Sequence, residues 1–208
     1  MFAIFNGKFF VFQGGFNMRI LILVFLVLTL QACAPISYRE TDEGRFEGAL
    51  DVRWIKNDYF LFVPSKDDPF RFTRSNGEVI RPGPMYTDGG SIPRFLWGVN
   101  GYSPWGYAPA YIIHDWLFVA HECGYPGYKD YSFKNTHIVL AEGLKAVMEI
   151  SPEIRNYFVF ESVVAAVSSP IAKRLWEKGI CNEPVAFNLL GIPEQTPPGE
   201  LLMTIKFK

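Results

Sequence analysis

Between Pro82 and Ala108 the apolar residues of this chain change their spacing from that of a strand to that of a helix, and this switch bounds the fold. Upstream, Phe46-Glu47-Gly48-Ala49-Leu50-Asp51-Val52-Arg53-Trp54 roughly alternates apolar and polar. Tyr59-Phe60-Leu61-Phe62-Val63 is a compact run ended by Pro64, and Phe70-Arg71-Phe72-Thr73-Arg74 alternates cleanly. Ser75-Asn76-Gly77 supplies a hairpin turn before Glu78-Val79-Ile80. These segments predict a small antiparallel sheet. Residues 82–93 are rich in Gly and Pro and read as loop.

Downstream, Ala110, Ile113, His114 and Leu117 fall at i, i+3, i+4 and i+7. Ser132 is placed to cap a second helix whose stripe is Phe133, His137, Leu140, Ala141, Leu144, Val147 and Met148. Ser151-Pro152-Glu153 carries the signature of a third helix start. That helix is apolar nearly all round, which predicts a central position. Ser169-Pro170 kinks it or begins a fourth segment, which stops at Gly179. The expected class is α+β: a small antiparallel sheet, then a cluster of three to four helices, in one domain over residues 45–180. Residues 181–208 show no strong pattern and are expected to be a peripheral tail. With 49% hydrophobic and 16% aromatic residues, the chain can fill a core.

The N-terminal segment reads as an address. Arg19 precedes the uncharged run Ile20-Leu21-Ile22-Leu23-Val24-Phe25-Leu26-Val27-Leu28-Thr29-Leu30. Such a run is too short for a membrane span, which needs about 20 apolar residues, but fits the apolar core of a secretion signal. The following Leu30-Gln31-Ala32-Cys33 resembles the lipobox of bacterial lipoproteins. That resemblance implies a signal peptide over residues 1–32, acylation of Cys33, and a tether over 33–44. The start is alternatively at Met18, directly before Arg19. The residue after the cysteine is Ala34, not Asp, and resemblance to enterobacterial lipoproteins then implies an outer-membrane lipoprotein facing the periplasm. The expected partner is therefore a membrane, through the lipid, with a cell-wall or envelope protein as a further candidate. Only Lys8 and Arg19 are charged before Cys33, and no basic stretch follows it, which argues against nucleic acid as a partner. Cys123 and Cys181 are the two other cysteines. In an oxidising compartment they either pair with each other or stay as two thiols.

Candidate chemistry rests on few residues. His114 and His137 lie on the inward stripes of different helices. Asp115 follows His114, Asp88 sits in the loop Thr87-Asp88-Gly89-Gly90-Ser91-Ile92-Pro93-Arg94, and Glu161 interrupts the apolar third helix. Buried polar groups need partners, so these groups are expected to meet. Two readings stay open. In one, His114 and His137 ligate a divalent metal such as zinc and Asp88, Asp115 and Glu161 serve as catalytic carboxylates. In the other, the same groups form a structural network. Adjacent helix residues point about 100° apart, so His114 and Asp115 do not both face one site unaided. His121 lies two turns beyond His114 and reads as a solvated or loop residue. The run Tyr102-Ser103-Pro104-Trp105-Gly106-Tyr107 reads as packing over a helix end, with an exposed partner surface as the alternative.

The loop Thr87–Arg94 followed by Ala110-Tyr111-Ile112-Ile113-His114-Asp115-Trp116-Leu117-Phe118 resembles the bacterial and phage domain of unknown function 1353. That family reads T-D-G-A-S-I-P-R and then A-x-x-H-D-W-L-Y, after a strand leading to a V-P dipeptide, here Val63-Pro64. The resemblance runs over roughly residues 58–165. It implies a polar constellation of Asp88, Ser91, Arg94, His114 and Asp115. A departure is Thr136-His137, where the family carries A-D on a later helix. From these features two functions are expected in competition. One is an envelope hydrolase using a metal-dependent His/Asp site. The other is a non-catalytic structural or binding lipoprotein of phage or prophage type.

Overall fold

A computed structural model of the chain describes residues 36–56, 59–87, 101–103, 105–181 and 197–207. The described residues belong to one unit, Ala34–Lys208. Among the described residues six strands form an antiparallel sheet, and four helices follow the first five strands. The strands are β1 Arg45–Lys56, β2 Tyr59–Pro64, β3 Arg71–Thr73, β4 Val79–Ile80, β5 Met85–Thr87 and β6 Glu200–Phe207. The helices are α1 Ala108–Glu122, α2 Phe133–Ile150, α3 Tyr157–Val167 and α4 Pro170–Lys178, with a 3-10 turn at Pro152–Ile154. The α+β class expected from the change of period is the one observed.

The sheet is built around β1. The order is β4-β3-β1-β2-β5, and β6 also pairs with β1. Val52 faces Phe62 and Arg53 faces Leu61 in the β1–β2 register. The alternation read from the sequence puts Phe46, Leu50 and Val52 in the core. Gly48 lies between the stretch of β1 that pairs with β3 and the stretch that pairs with β2. Its φ is 85°, and a Cβ there would lie 2.3 Å from the Pro69 carbonyl oxygen, so glycine alone fits. Phe46 stacks on Phe70 at 5.9 Å and packs against Phe72 at 4.6 Å, and Phe207 of β6 closes on Phe46 and Phe70.

The helices lie against that aromatic layer. A Cβ on Gly143 of α2 would stand 3.1 Å from Cβ of Ala110 on α1 and 3.3 Å from the Phe46 ring. A small residue there lets the two helices and the sheet meet closely. Ser132 caps α2 by accepting a hydrogen bond from the Asn135 amide, and Ser169 caps α4 in the same way from Ala172. The third helix departs from expectation. Ser151-Pro152 opens only the 3-10 turn, and α3 starts six residues later under an Asn156 cap that accepts from Val159 N–H. Nor is α3 central: Val159, Phe160, Val163, Val164 and Val167 are buried, while Tyr157 and Phe158 are exposed. Its apolar residues exceed what its single covered side can take in.

Two corrections concern strands. Met85–Thr87, read as loop, pairs with β2. Residues 200–207, read as tail, run antiparallel to β1 from Gly48↔Phe207 to Trp54↔Glu200. This strand is largely exposed, which is why it has no clean apolar alternation. Cys123, just beyond α1, and Cys181, three residues beyond α4, are joined in a disulfide.

A buried ion pair fastens the β3–β4 hairpin to α2. Arg74 donates from Nε to Glu142 Oε2 at 2.8 Å and from Nη2 to Oε1 at 2.9 Å, a bidentate fork. Its Nη1 reaches Glu78 at 2.8 Å. Both Arg74 and Glu142 are buried. The hydrogen bonds to Glu142, first among the causes, hold the guanidinium pKa above its ordinary value, and burial opposes them.

Candidate functional site

His114 and His137 are both buried, one on α1 and one on α2, as their positions on the apolar stripes require. Aromatic rings surround them. Phe118 lies 5.0 Å from the His114 ring, and Phe133 meets His137 edge-on at 5.3 Å. Trp176, the one buried residue of α4, packs on Phe118 at 5.0 Å and on Phe133 at 6.4 Å. One indole therefore bridges the flanking rings of both histidines. Its other contact is His121, stacked at 3.8 Å with 12° between planes. His121 is thus neither in a loop nor free in solvent: it sits in the last turn of α1, partly buried against Trp176.

Burial lowers the His137 pKa below the ordinary imidazole value, and the nearby His114 and Lys134 add to the effect. The Phe133 backbone opposes it without reversing it. Near neutral pH His137 is therefore the uncharged imidazole, the form that can bind a metal or accept a proton. Its Nδ1 is buried with no well-formed hydrogen bond among the described residues. His114 adds to that lowering from α1, which packs against the α2 that carries His137. Both imidazoles are buried, as the stripes led one to expect.

The carboxylates divide. Asp115 Oδ1 lies 3.7 Å from His114 Nδ1, beyond hydrogen-bond length, with the carboxylate a quarter exposed. Asp88, with Ser91 and Arg94, lies outside the described residues, as does Cys33. Glu161 does not join the histidines. It is exposed on α3 and lines a depression of about 480 Å³ with Ser37, Tyr38, Arg39, Lys145 and Tyr157. The inward position expected of it fails because α3 has a solvent side. Among the described residues, no group of three or more His, Cys, Asp or Glu is placed to hold a metal ion. Asp115 thus does not complete a zinc site with His114 and His137, and a third ligand for the two histidines would lie outside the described residues.

The run before α1 packs mainly inward. Tyr107 donates its hydroxyl to the Ile154 carbonyl at 2.7 Å, and the Tyr102 hydroxyl is 2.6 Å from Ser162 Oγ. Of the described aromatic residues in the run, Trp105 stays substantially exposed, edge-on to Phe60. Sequence reasoning missed the buried Arg74–Glu142 pair. A signal existed: Arg74 falls at i+4 and i+2 from Phe70 and Phe72, on the face that those rings take into the core.

The candidate site is therefore two buried histidines, each with an aromatic ring beside it, on the packed helices α1 and α2 of an α+β domain. Residues 67–156 match the family model described as "Protein of unknown function (DUF1353)". The match takes in β3 to β5, α1, α2 and the 3-10 turn, and with them Asp88, His114, Asp115 and His137. No curated protein and no solved structure matches the chain. Among the described residues, no helix is long and apolar enough to cross a membrane.

Proposed function

We propose that this chain is a lipid-anchored protein of the bacterial cell envelope, tethered at the outer membrane through an acylated Cys33. The observation that carries the reading is the Cys123–Cys181 disulfide, a bond that persists in oxidising compartments. It leaves Cys33, placed after a signal-like apolar run, as the remaining cysteine of three. The test is metabolic labelling with a palmitate analogue. Label is expected in the native chain and absent from Cys33→Ser. An unlabelled native chain would refute the anchor.

A second reading concerns activity: a metal-dependent hydrolase acting on cell-wall peptide or glycan. It is supported by the buried Nδ1 of His137, without a well-formed hydrogen bond among the described residues, and by the burial of His114 on the neighbouring helix, with Asp88 as the candidate third ligand. Zinc titration of the purified protein checks it. Near-stoichiometric binding, lost in both His114→Ala and His137→Ala, is the expected result. No binding would leave the histidines as packing groups, and the chain as a non-catalytic structural or binding lipoprotein.

A further inference from the structure

One corner of the molecule exposes apolar residues that the histidine cluster does not use. Ile150 ends α2, Ile154 ends the 3-10 turn, and Tyr157 and Phe158 begin α3. Phe158 is 74% exposed, Ile150 67% and Tyr157 54%. Isolated exposed apolar residues are ordinary, but these four fall within nine residues of chain at the α2–α3 junction, and apolar residues gathered in one place mark a contact surface.

The same corner holds the first described residues of the chain. Tyr38 packs edge-on against Tyr157 at 4.8 Å and against Phe160 at 5.1 Å. Its hydroxyl donates to Glu149, which also accepts from Arg155. Lys145 lies over the Tyr38 ring and donates to the carbonyls of Tyr38 and Thr41. Residues 38–41 are thus fixed to the end of α2 and the start of α3. Cys33 is only three residues before Ile36, and three residues reach at most about 11 Å when fully extended. An acylated Cys33 is held at the headgroup level of a bilayer, so the tether is too short to carry this corner far from lipid.

We propose that the corner formed by Ile150, Ile154, Tyr157 and Phe158 seats on the phospholipid bilayer that holds Cys33, with Phe158 entering the boundary between headgroups and acyl chains. The inference rests on the lipid-anchor reading and adds an orientation to it. Tyr157 suits that depth, because an aromatic ring with a hydroxyl favours the interface between water and hydrocarbon. Charge does not drive the contact. Arg155 pairs with Glu149 there, and the remaining cations Arg39 and Lys145 share the corner with as many carboxylates, Glu153 and Glu161, so the net charge is balanced, zwitterionic lipid suffices and salt has little effect.

The experiment uses the full acylated chain in phosphatidylcholine vesicles. A nitroxide is placed at Phe158→Cys and, for comparison, at Thr204→Cys on β6. Accessibility to oxygen is measured against accessibility to a water-soluble nickel chelate. The ratio at 158 is expected to exceed that at 204 by at least about threefold, equally at low and high salt. Equal ratios, with acyl label still present on Cys33, would overturn the orientation and leave the anchor standing. Absence of acyl label on Cys33 would overturn both. Protection at 158 that persists in lipid-free detergent and grows with protein concentration would assign the corner to a second copy of the chain, and would also overturn the proposal.

Discussion

Glu142→Ala removes one half of the buried fork that holds the β3–β4 hairpin on α2. Breaking a buried ion pair by deleting one partner costs about 3–5 kcal/mol, since the other charge stays buried without compensation. Arg74 keeps Glu78 at 2.8 Å, and the Glu78 side chain is 36% exposed. One contact with a partly solvated carboxylate places the loss near the lower end, about 3 kcal/mol. At roughly 3 °C per kcal/mol for a chain of this size, Tm falls by about 9 °C. Urea unfolding gives the free energy and a thermal scan gives the Tm. The companion is the double substitution Arg74→Met with Glu142→Met, which removes both charges and retains bulk. It is expected to be more stable than Glu142→Ala, because nothing charged is left stranded. A Glu142→Ala loss below about 1 kcal/mol, the scale of an exposed pair, would refute the reasoning. So would a double variant whose loss equals the sum of the losses of Arg74→Met and Glu142→Met measured singly.

Three further outcomes follow from the geometry. His137 has a lowered pKa in the fold and the ordinary value of 6.5 when unfolded. The unfolded chain therefore takes up a proton first as pH falls, so stability is intact above about pH 6.5 and declines below it. In the metal-free protein, His137→Gln should flatten this acid-side slope in urea titrations, and an unchanged slope would exclude His137 as its source. Reducing the disulfide, which joins residues 58 apart, is expected to cost up to about 4 kcal/mol by the loop-closure relation, measured by unfolding with and without reductant. Trp176→Ala removes the only buried residue of α4 and should cost about 3–5 kcal/mol. The amides of α4 should lose hydrogen-exchange protection before those of α2, and a uniform loss across the helices would count against the role given to Trp176.

What could be read from sequence depended on how local the determining contacts were. Ser132 and the stripe from Phe133 to Met148 lie within one helix, and both were legible. Alternation in β1 and β3 identified the sheet because those strands have one covered face, whereas β2 was legible as a compact run whose last four residues are all buried. α3 misled, because Val159, Phe160 and Val163 announce burial while nothing local says that Phe158 and Glu161 face out. The partners of β6 and Arg74 are remote: Thr204 bonds Asp51 across 153 residues, and Arg74 meets Glu142 across 68. No periodicity within a short window carries such pairings. In the candidate site, inward-facing His114 and His137 followed from the stripes. The aromatic bridge through Trp176 did not, since α4 shows a single buried residue.

The pairing of β1 with β6 also sets an order of events as the chain emerges. β1 is made early, yet one of its ladders stays open until a segment some 150 residues further on arrives. Until then the strand offers free amides and carbonyls to any extended peptide nearby. Such distant closure is slow to find, so a chaperone that shields residues 48–54 should raise the yield of folded protein more than one that binds the helices.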